Sequence, residues 1–361
     1  MTKKSPSAME DEPTMQACFY TKFGKPTVLQ MGPLPKAKLL APEEVLVQVY
    51  AASINPIDYK RREGGLKAVL DTKWPQIVGY DLAGVVVLVG ANVKQFHIGD
   101  EVYACLPHDR PGSLAEYTAI ALLSMHLTKS VDTFVQAAAL PISSLVALQT
   151  LRRLELREGQ KFLLTGGSGG VGTLALQMAK NVFKAGTIAT TASQQKTHIL
   201  TRLGADVVID YTEQPFEQVL NEYDVAMDCT SEAKKCMDCV TQGGVVASIA
   251  DTPPPEALED FPELGGRTSC CLGFVLGCLS YSMKSKARAH RLNYEYVFVA
   301  PSGKMLTEIA GLVDAGQLRP VIDKVYPFEL ALEALELLET GHVTGKLVLE
   351  FSVGASQPES E

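Results

Sequence analysis

The length, composition and charge of the chain predict a two-domain protein with a small-molecule partner. Its 361 residues exceed what one hydrophobic core usually serves. The formal net charge of -8 argues against binding nucleic acid or an anionic membrane, because both need clustered Lys and Arg. The eight cysteines lack the spacing of a disulfide framework, and the polar N-terminus does not resemble a targeting peptide, so we expect a cytoplasmic protein.

The first part of the chain predicts a β-rich, barrel-like domain. Short runs rich in β-branched residues, such as EEVLVQVYAAS and DEVYACL, are separated by Gly, Pro and Asp. A late run, GKLVLEF, predicts a strand that returns to the same domain, which we assign to residues 16–142 and 303–354. Residues 1–15 and 355–361 are polar and predict disordered tails.

Residues 143–302 alternate strands with amphipathic helices, which predicts a parallel, doubly wound sheet. The candidate strands are KFLLT, TIATT, DVVID, DVAMD, GGVVASIA and YVFV. The apolar run CCLGFVLGCL is about half the ~20 residues that a membrane span requires, so we expect a buried or interface segment. Two later segments predict helices that end at Gly316 and Gly341.

A strand, a Gly-rich turn (residues 166–172) and a helix follow one another in KFLLTGGSGGVGTLALQMAKNVF. Gly167, Gly169 and Gly172 form a G-x-G-x-x-G in the context where it indicates a dinucleotide site; the alternative is a closely packed turn that binds nothing. Glycine there lets backbone N–H groups approach a pyrophosphate at the helix N-terminus. The predicted cofactor contacts of the turn are Gly167, Ser168, Gly169, Gly170, Val171 and Gly172.

The end of the next strand favours NADPH over NADH. An NAD site needs an acidic residue there for the ribose 2′-hydroxyl, and no acid occurs from Thr187 to His198. Ser193 and Lys196 suit a 2′-phosphate instead, although the alternative is that Lys196 is an ordinary solvated lysine.

The cysteines and histidines do not predict a metal site. Cys105 with His108 has no recognisable third ligand for a catalytic zinc. Cys236 and Cys239 form a C-x-x-C in a predicted helix, where core packing is the favoured interpretation and metal or redox work is the alternative.

Taken together, the motifs resemble the medium-chain dehydrogenase/reductase superfamily and, within it, the zinc-independent quinone oxidoreductase (zeta-crystallin-like) branch. The resemblance spans about residues 15–351. It is carried by INPIDYKRREG, PQIVGYDLAGVV, GDEVYA, GSLAEYT, AAALPISSLVALQTL, TGGSGGVG, LGADVVIDY, GGVVASIA, LRPVIDKVYPFELALEAL and GHVTGKLVLE. It implies a GroES-like catalytic domain split around a Rossmann domain, NADPH in the cleft between them, and a homodimer formed through the nucleotide domains.

The resemblance also implies which residues form the site. Zinc-dependent relatives carry a His-Glu pair where this chain has Tyr80 and Asp81, and a cysteine near Ser53 to Asn55. Relatives usually have Ala at Gly167, Gly at Ser144 and Thr at Val146, the last two lying near the nicotinamide. Besides the Gly-rich turn, cofactor contacts map onto Asn55, Ser144, Ser193, Lys196, Tyr211, Ala250, Phe298, Val299 and Lys346.

Without zinc to polarise a carbonyl, electron-poor acceptors are favoured as substrates, because their charge is delocalised when they accept hydride. We expect Asn55, Asp58, Tyr59 and Lys60 to line the cleft with Tyr80 and Asp81, with Tyr59 or Tyr80 as the best proton donors. Asn55 and Asp58 could instead fix the turn through side-chain to backbone bonds. Asp81 is interpreted either as anchoring the loop through Arg61 or Arg62, or as helping to protonate the reduced acceptor.

Three functions are compatible with these residues. Quinone reduction ranks first, by resemblance more than by chemistry. Reduction of an enone or enoyl-thioester double bond is the second. A weakly catalytic NADPH-binding or partner-binding protein is the third.

Overall fold

The computed structural model describes residues 13–110, 112–121, 125–127, 133–258 and 270–352. The side chains of 125–127 and 270–272 are not part of that description. In chain order the strands are β1 (Thr14–Tyr20), β2 (Leu29–Pro35), β3 (Glu44–Ile54), β4 (Gln76–Ile77), β5 (Asp81–Val89), β6 (Glu101–Cys105), β7 (Tyr117–Ala121), β8 (Met125–Leu127), β9 (Lys161–Leu164), β10 (Thr187–Ala192), β11 (Val207–Asp210), β12 (Tyr223–Asp228), β13 (Val240–Ser248), β14 (Asn293–Tyr296), β15 (Ile322–Pro327) and β16 (Lys346–Glu350).

Helices fill most of the connections after the first third of the chain. They are α1 (Pro56–Arg62), α2 (Phe134–Ala138), α3 (Pro141–Arg153), α4 (Gly170–Asn181), α5 (Thr197–Arg202), α6 (Ala233–Cys239), α7 (Cys270–His290), α8 (Gly303–Asp314) and α9 (Ala331–Glu339). Gly316 and Gly341 follow α8 and α9 with positive φ values of 67° and 72°, as expected of glycines that end helices.

The β-rich domain combines a sheet in the order β15-β16-β3-β5-β6-β8, in which β7 also pairs with β3, and a small sheet in the order β2-β1-β4. As predicted from GKLVLEF, β16 returns to this domain and pairs antiparallel with β3. The register of β3 against β5 places Ser53 opposite Asp81, and that of β5 against β6 places Asp81 opposite Cys105. Asp81, the first residue of β5, thus lies beside Ser53 and Cys105 at one end of this sheet, which we call its polar end.

In the described residues, the parallel-sheet domain contains six parallel strands in the order β11-β10-β9-β12-β13-β14. In order of sequence this is 3-2-1-4-5-6, the order of a dinucleotide-binding Rossmann sheet, with its switch point between β9 and β12. Helix α4 packs its buried face, including Leu174, Ala175 and Met178, into the core beside β9. The predicted fold class is confirmed.

Three local features were predicted from sequence alone: the N-terminal tail, the sixth parallel strand and the C-x-x-C pair. Strand β1 begins at Thr14, inside the segment predicted as a tail, and residues 1–12 and 353–361 lie outside the described residues. The sixth parallel strand is Asn293–Tyr296, which precedes most of the predicted run YVFV. Cys236 and Cys239 are buried in a core cluster, as the packing interpretation expects.

The apolar run CCLGFVLGCL, predicted as a buried or interface segment, lies at the start of α7. Phe274 and Leu279 are 74% and 60% exposed, so the expectation of a buried segment is wrong, whereas an interface stays a prediction. A search of the described part of the chain finds no helix whose length and apolar character would suit a membrane span.

Candidate active site

The Gly-rich turn lies at the carboxyl end of β9, where the parallel sheet changes direction. Gly169 precedes α4, which begins at Gly170, so the first backbone N–H groups of that helix face the turn. A Cβ at Gly172 would overlap the carbonyl oxygen of Gly166, and one at Gly170 would lie 2.7 Å from Lys346 Cδ. These side-chain-free positions fit a pyrophosphate, which needs close backbone approach and a helix N-terminus.

Gly167 has a neighbour that explains its departure from the usual alanine. A Cβ at this position would overlap Thr190 Oγ1, while Thr190 Oγ1 donates to the carbonyl oxygen of Leu164 at 2.8 Å. We expect Gly167→Ala to lower the free energy of unfolding by about 1 to 3 kcal/mol, the usual cost of overpacking. Chemical denaturation measures this change.

The double variant Gly167→Ala/Thr190→Ala is the control for that prediction. It removes the overlapping hydroxyl, so the alanine at 167 should cost less in this background than in the wild-type protein. Equal costs in both backgrounds would contradict the pairing of Gly167 with Thr190.

The predicted 2′-phosphate residues lie where β10 ends. Ser193 directly follows the strand, and Lys196 ends a short 3-10 helix, Gln194–Lys196. Lys196 Nζ donates to the carbonyl oxygens of His342 at 2.9 Å and Val343 at 3.3 Å, and burial lowers its pKa. Lys196 is thus half-buried and bonded to the β-rich domain, unlike the ordinary solvated lysine of the alternative interpretation.

Asp228 is a buried residue of this region that sequence reasoning missed. Its Oδ1 accepts from Thr165 Oγ1 at 2.9 Å and from the backbone N–H groups of Thr230 and Glu232, and its Oδ2 accepts from Ser248 Oγ at 2.7 Å. Asp228 therefore ties together the carboxyl ends of β9, β12 and β13. Its position at the end of a predicted strand, DVAMD, was the one available signal.

The buried polar cluster, formed by Ser53, Asn55, Asp81 and Lys346, occupies the polar end of the β-rich sheet. Asp81 Oδ2 accepts from Ser53 Oγ at 3.1 Å, from Asn55 Nδ2 at 2.9 Å and from Lys346 Nζ at 3.3 Å. Lys346 Nζ also donates to Asn55 Oδ1. All four side chains are nearly or fully inaccessible to solvent.

Asp81 also reaches the helix at the domain boundary. Its Oδ1 accepts from the backbone N–H of Ile142 at 2.8 Å, in the first turn of α3. A carboxylate there satisfies a free helix N–H and interacts favourably with the helix dipole. Asp81 is paired in this structure, and its cationic partner is Lys346, so the prediction of an anchor through Arg61 or Arg62 is wrong.

Burial acts in opposite directions on the two charges of the cluster. Burial lowers the pKa of Lys346, and the attraction of Asp81 and Asp58 opposes the change. Burial raises the pKa of Asp81, against the attraction of Lys346 and its hydrogen bonds. The attraction between the two groups therefore opposes the effect of burial on each of them.

Asp58 stands beside this cluster in the first turn of α1. Its Oδ2 accepts from the backbone N–H of Asn55 at 2.7 Å, so it fixes the turn that places Asn55. Burial raises the pKa of Asp58 to about 7, although the bond from Asn55 opposes the rise. The side chain of Asn55 itself points into the buried polar cluster.

The two arginines of the loop have other partners. Arg61 is buried and donates to Tyr80 Oη at 3.3 Å, to Gln76 Oε1 at 3.3 Å and to the carbonyl oxygen of His108. Arg62 donates to the carbonyl oxygen of Gly24 at 3.0 Å and pairs with Glu339.

His108, for which the sequence predicts no metal site, lies at the seam between the two domains. Its Nε2 lies 3.1 Å from the carbonyl oxygen of Val299, a predicted cofactor neighbour in the other domain. Its ring meets the ring of Tyr80 edge to face, with centroids 5.6 Å apart. Tyr80 is fully buried, and burial raises its pKa.

The remaining predicted residues are more dispersed. Lys60 is exposed, Tyr59 is half-buried with its pKa raised by burial and by Glu339, and no described hydrogen bond links either to the buried polar cluster. Ser144 is buried and its Oγ donates to the carbonyl oxygen of Pro141. Phe298 is partly buried against Leu70 and Leu258.

Two predicted cofactor residues flank the parallel sheet. Tyr211 is 55% exposed just after β11, and the carbonyl oxygen of Ala250 accepts from Ser231 Oγ at 2.9 Å just after β13. Both lie at carboxyl ends of parallel strands, the edge where this sheet type binds ligands.

The residues at the family's zinc position do not fit a zinc ion. Asp81 already accepts four hydrogen bonds, one of them from an ammonium that would repel a second cation. Within the described ranges, no three His, Cys, Asp or Glu side chains are grouped to hold a metal ion.

A Rossmann sheet with a Gly-rich turn, set against a barrel-like domain with a buried polar cluster at the seam, defines a two-domain dinucleotide-binding oxidoreductase. Two family models match: the alcohol dehydrogenase GroES-like domain over residues 41–129 and the zinc-binding dehydrogenase over residues 203–349. The chain belongs to the medium-chain dehydrogenase/reductase superfamily, which confirms the predicted family.

Three similar proteins illustrate the relationship. A 2-methylene-furan-3-one reductase from Solanum lycopersicum is 35% identical, over 93% of this chain and 79% of its own. An NADPH-dependent alkenal/one oxidoreductase, chloroplastic, from Arabidopsis thaliana is 34% identical with the same coverage. The structure of the quinone oxidoreductase from Coxiella burnetii superposes with a TM-score of 0.79 at 30% identity, over 94% of this chain and 99% of its own.

Proposed function

We propose that this protein is an NADPH-dependent oxidoreductase that reduces quinones. The observation that carries the proposal is the position of Lys346, whose stem lies against Gly170 of the Gly-rich turn and whose ammonium enters the buried polar cluster. The chain thereby places an ammonium group between the predicted cofactor turn and the β-rich domain.

NADPH, when bound, supplies the hydride, and the chain's own residues position the reactants. Lys346 and Asn55 hold each other in one geometry, with Asp81 fixing both, so their donors are preorganised and need no rearrangement during the reaction. The ammonium stabilises negative charge that develops on the acceptor. A quinone needs only this stabilisation of its negative charge, because its reduced form delocalises that charge over the ring.

A second candidate is reduction of a carbon–carbon double bond conjugated to a carbonyl. The names of the tomato and Arabidopsis relatives favour it, since both describe reductases of such substrates. The same site serves both reactions, because in each the acceptor is electron-poor and ends with negative charge on a carbonyl oxygen.

Steady-state rates with NADPH and NADH, each against a quinone panel and an enone panel, test the proposal. We expect the highest kcat/KM with NADPH and quinones, and at least about tenfold less with NADH, since a charge-assisted bond to the 2′-phosphate contributes about 1.5 to 3 kcal/mol. Faster turnover of enones would favour the second candidate. Tight NADPH binding without oxidation by any acceptor would favour a partner-binding protein instead.

We also propose a cytoplasmic homodimer, as the resemblance implies. Light scattering of the purified protein measures its mass, and a tagged chain located by microscopy reports its compartment. A monomer, or a signal confined to an organelle, would contradict these two proposals.

A further inference from the structure

The linking segment, residues 342–346, connects two parts of the site that are remote in sequence. At its start, the carbonyl oxygens of His342 and Val343 accept from Lys196, the predicted 2′-phosphate residue. At its end, Lys346 enters the buried polar cluster with Asn55 and Asp81. One short piece of backbone therefore joins the predicted 2′-phosphate residue to the buried polar cluster.

The linking segment is fixed by a small number of bonds. Gly345 N donates to the carbonyl oxygen of Ser168 in the Gly-rich turn at 2.8 Å, and Lys346 N donates to that of Val321 at 2.9 Å. Thr344 N donates to Asp323 Oδ2 at 3.1 Å. The carbonyl oxygens of His342 and Val343 both accept hydrogen bonds from one group, the ammonium of Lys196.

We propose that Lys196 is a positioning residue for catalysis as well as a cofactor contact: it holds the linking segment and, through it, the ammonium of Lys346. This inference rests on the proposed function, because it concerns the same site. An ammonium has three N–H donors, of which two serve His342 and Val343. The third is sufficient for a 2′-phosphate, so binding the cofactor and holding the segment are compatible.

The backbone between Val343 and Lys346 is short enough for Lys196 to affect the position of Lys346. Only two residues separate Val343 from Lys346, and Gly345 between them has a φ of 75°, with a Cβ position that would overlap the carbonyl oxygen of Val321. The segment is therefore tightly constrained, and a shift at its start is transmitted to its end. Misplacement of a catalytic group by about 1 Å can cost up to about a hundredfold in rate.

The test compares Lys196→Met with Lys196→Arg and with a matched control. Methionine keeps much of the apolar stem and removes every donor, whereas arginine can bond both carbonyls again. Lys180→Met is the control, because Lys180 pairs with Asp206 inside the parallel-sheet domain.

The first measurement is kcat at saturating NADH, which has no 2′-phosphate, and at saturating NADPH. We expect Lys196→Met to lower kcat about tenfold with both cofactors, Lys196→Arg to recover most of it, and Lys180→Met to match the wild type. A residue that only binds the 2′-phosphate would raise KM for NADPH and leave kcat with NADH unchanged, and that result would overturn the proposal.

The second measurement is amide hydrogen exchange in the protein without cofactor. Residues 342–346 should exchange faster in Lys196→Met than in the wild type and return toward wild-type protection in Lys196→Arg. Unchanged exchange in this segment would also overturn the proposal. Because this measurement needs no turnover, it decides the role of Lys196 even if the proposed reduction of quinones is wrong.

Discussion

The Lys346→Met variant should lose about 3 to 5 kcal/mol of unfolding free energy and most of its turnover. It leaves Asp81 fully buried without a counter-charge, and breaking a buried pair from one side is costly for this reason. It also removes the donor to Asn55 Oδ1. Chemical denaturation measures the stability, and steady-state oxidation of NADPH measures the turnover.

The double variant Asp81→Asn/Lys346→Met separates stability from activity. An asparagine at 81 can still accept the backbone N–H of Ile142 and carries no charge, so the double variant should recover much of the lost stability without recovering the rate. If Lys346→Met unfolds within about 1 kcal/mol of the wild type, the buried polar cluster is not held by charge pairing.

The single Asp81→Asn variant distinguishes the two interpretations of that carboxylate. If Asp81 is structural, the variant should lose stability, because the ammonium of Lys346 then lacks its counter-charge. Loss of turnover with unchanged NADPH binding and unchanged Tm would instead show that Asp81 takes part in proton transfer.

The sequence was sufficient to predict the fold class and the Gly-rich turn, because both depend on local patterns. Alternation of strands with amphipathic helices is encoded within windows of about ten to twenty residues. Gly167 and Gly169 lie between β9 and α4, and Gly172 lies in the first turn of α4. A Cβ at Gly167 or at Gly172 would overlap neighbouring atoms, as the motif implies. No partner remote in sequence was needed for either prediction.

The pairing of Asp81 could not be predicted from the sequence, because it is decided by tertiary contacts. Arg61 and Arg62 were nearer along the chain, whereas Lys346 lies 265 residues away. Helix α1 directs Arg61 toward Tyr80 and His108, and β16 brings Lys346 beside β3. A buried carboxylate predicts that a partner exists, but only the sheet order says which one.

The shifted sixth strand has a similar cause. The run YVFV has strong β propensity, yet pairing with β13 ends at Tyr296. The carbonyl oxygen of Val299 instead contacts His108 Nε2 at the seam between the domains. The backbone N–H and carbonyl oxygen of Ala300 form hydrogen bonds with the side chain of Gln149. Tertiary contacts thus override local propensity where the chain crosses between domains.

The buried carboxyl group of Asp58 should contribute less to the stability of the fold as the pH rises from about 4 to 8. Burial raises its pKa from 3.8 to about 7, so the folded chain keeps a proton that the unfolded chain releases. This contribution to the free energy of unfolding is fully present below pH 3.8 and is lost as the pH rises through about 7. It amounts to about 4 kcal/mol. Asp58→Asn is neutral at every pH, so its unfolding free energy should depend less on pH and exceed that of the wild type at pH 8.

Denaturation of both proteins at several pH values between 4 and 8 measures this difference. The amide oxygen of an asparagine at 58 can still accept the backbone N–H of Asn55, so the turn that places Asn55 in the buried polar cluster is kept. Asp109→Asn, which changes an exposed carboxylate, is the control and should follow the wild type. Parallel curves for Asp58→Asn and the wild type would mean that Asp58 titrates alike in the folded and unfolded chain, and its burial would then carry no electrostatic cost.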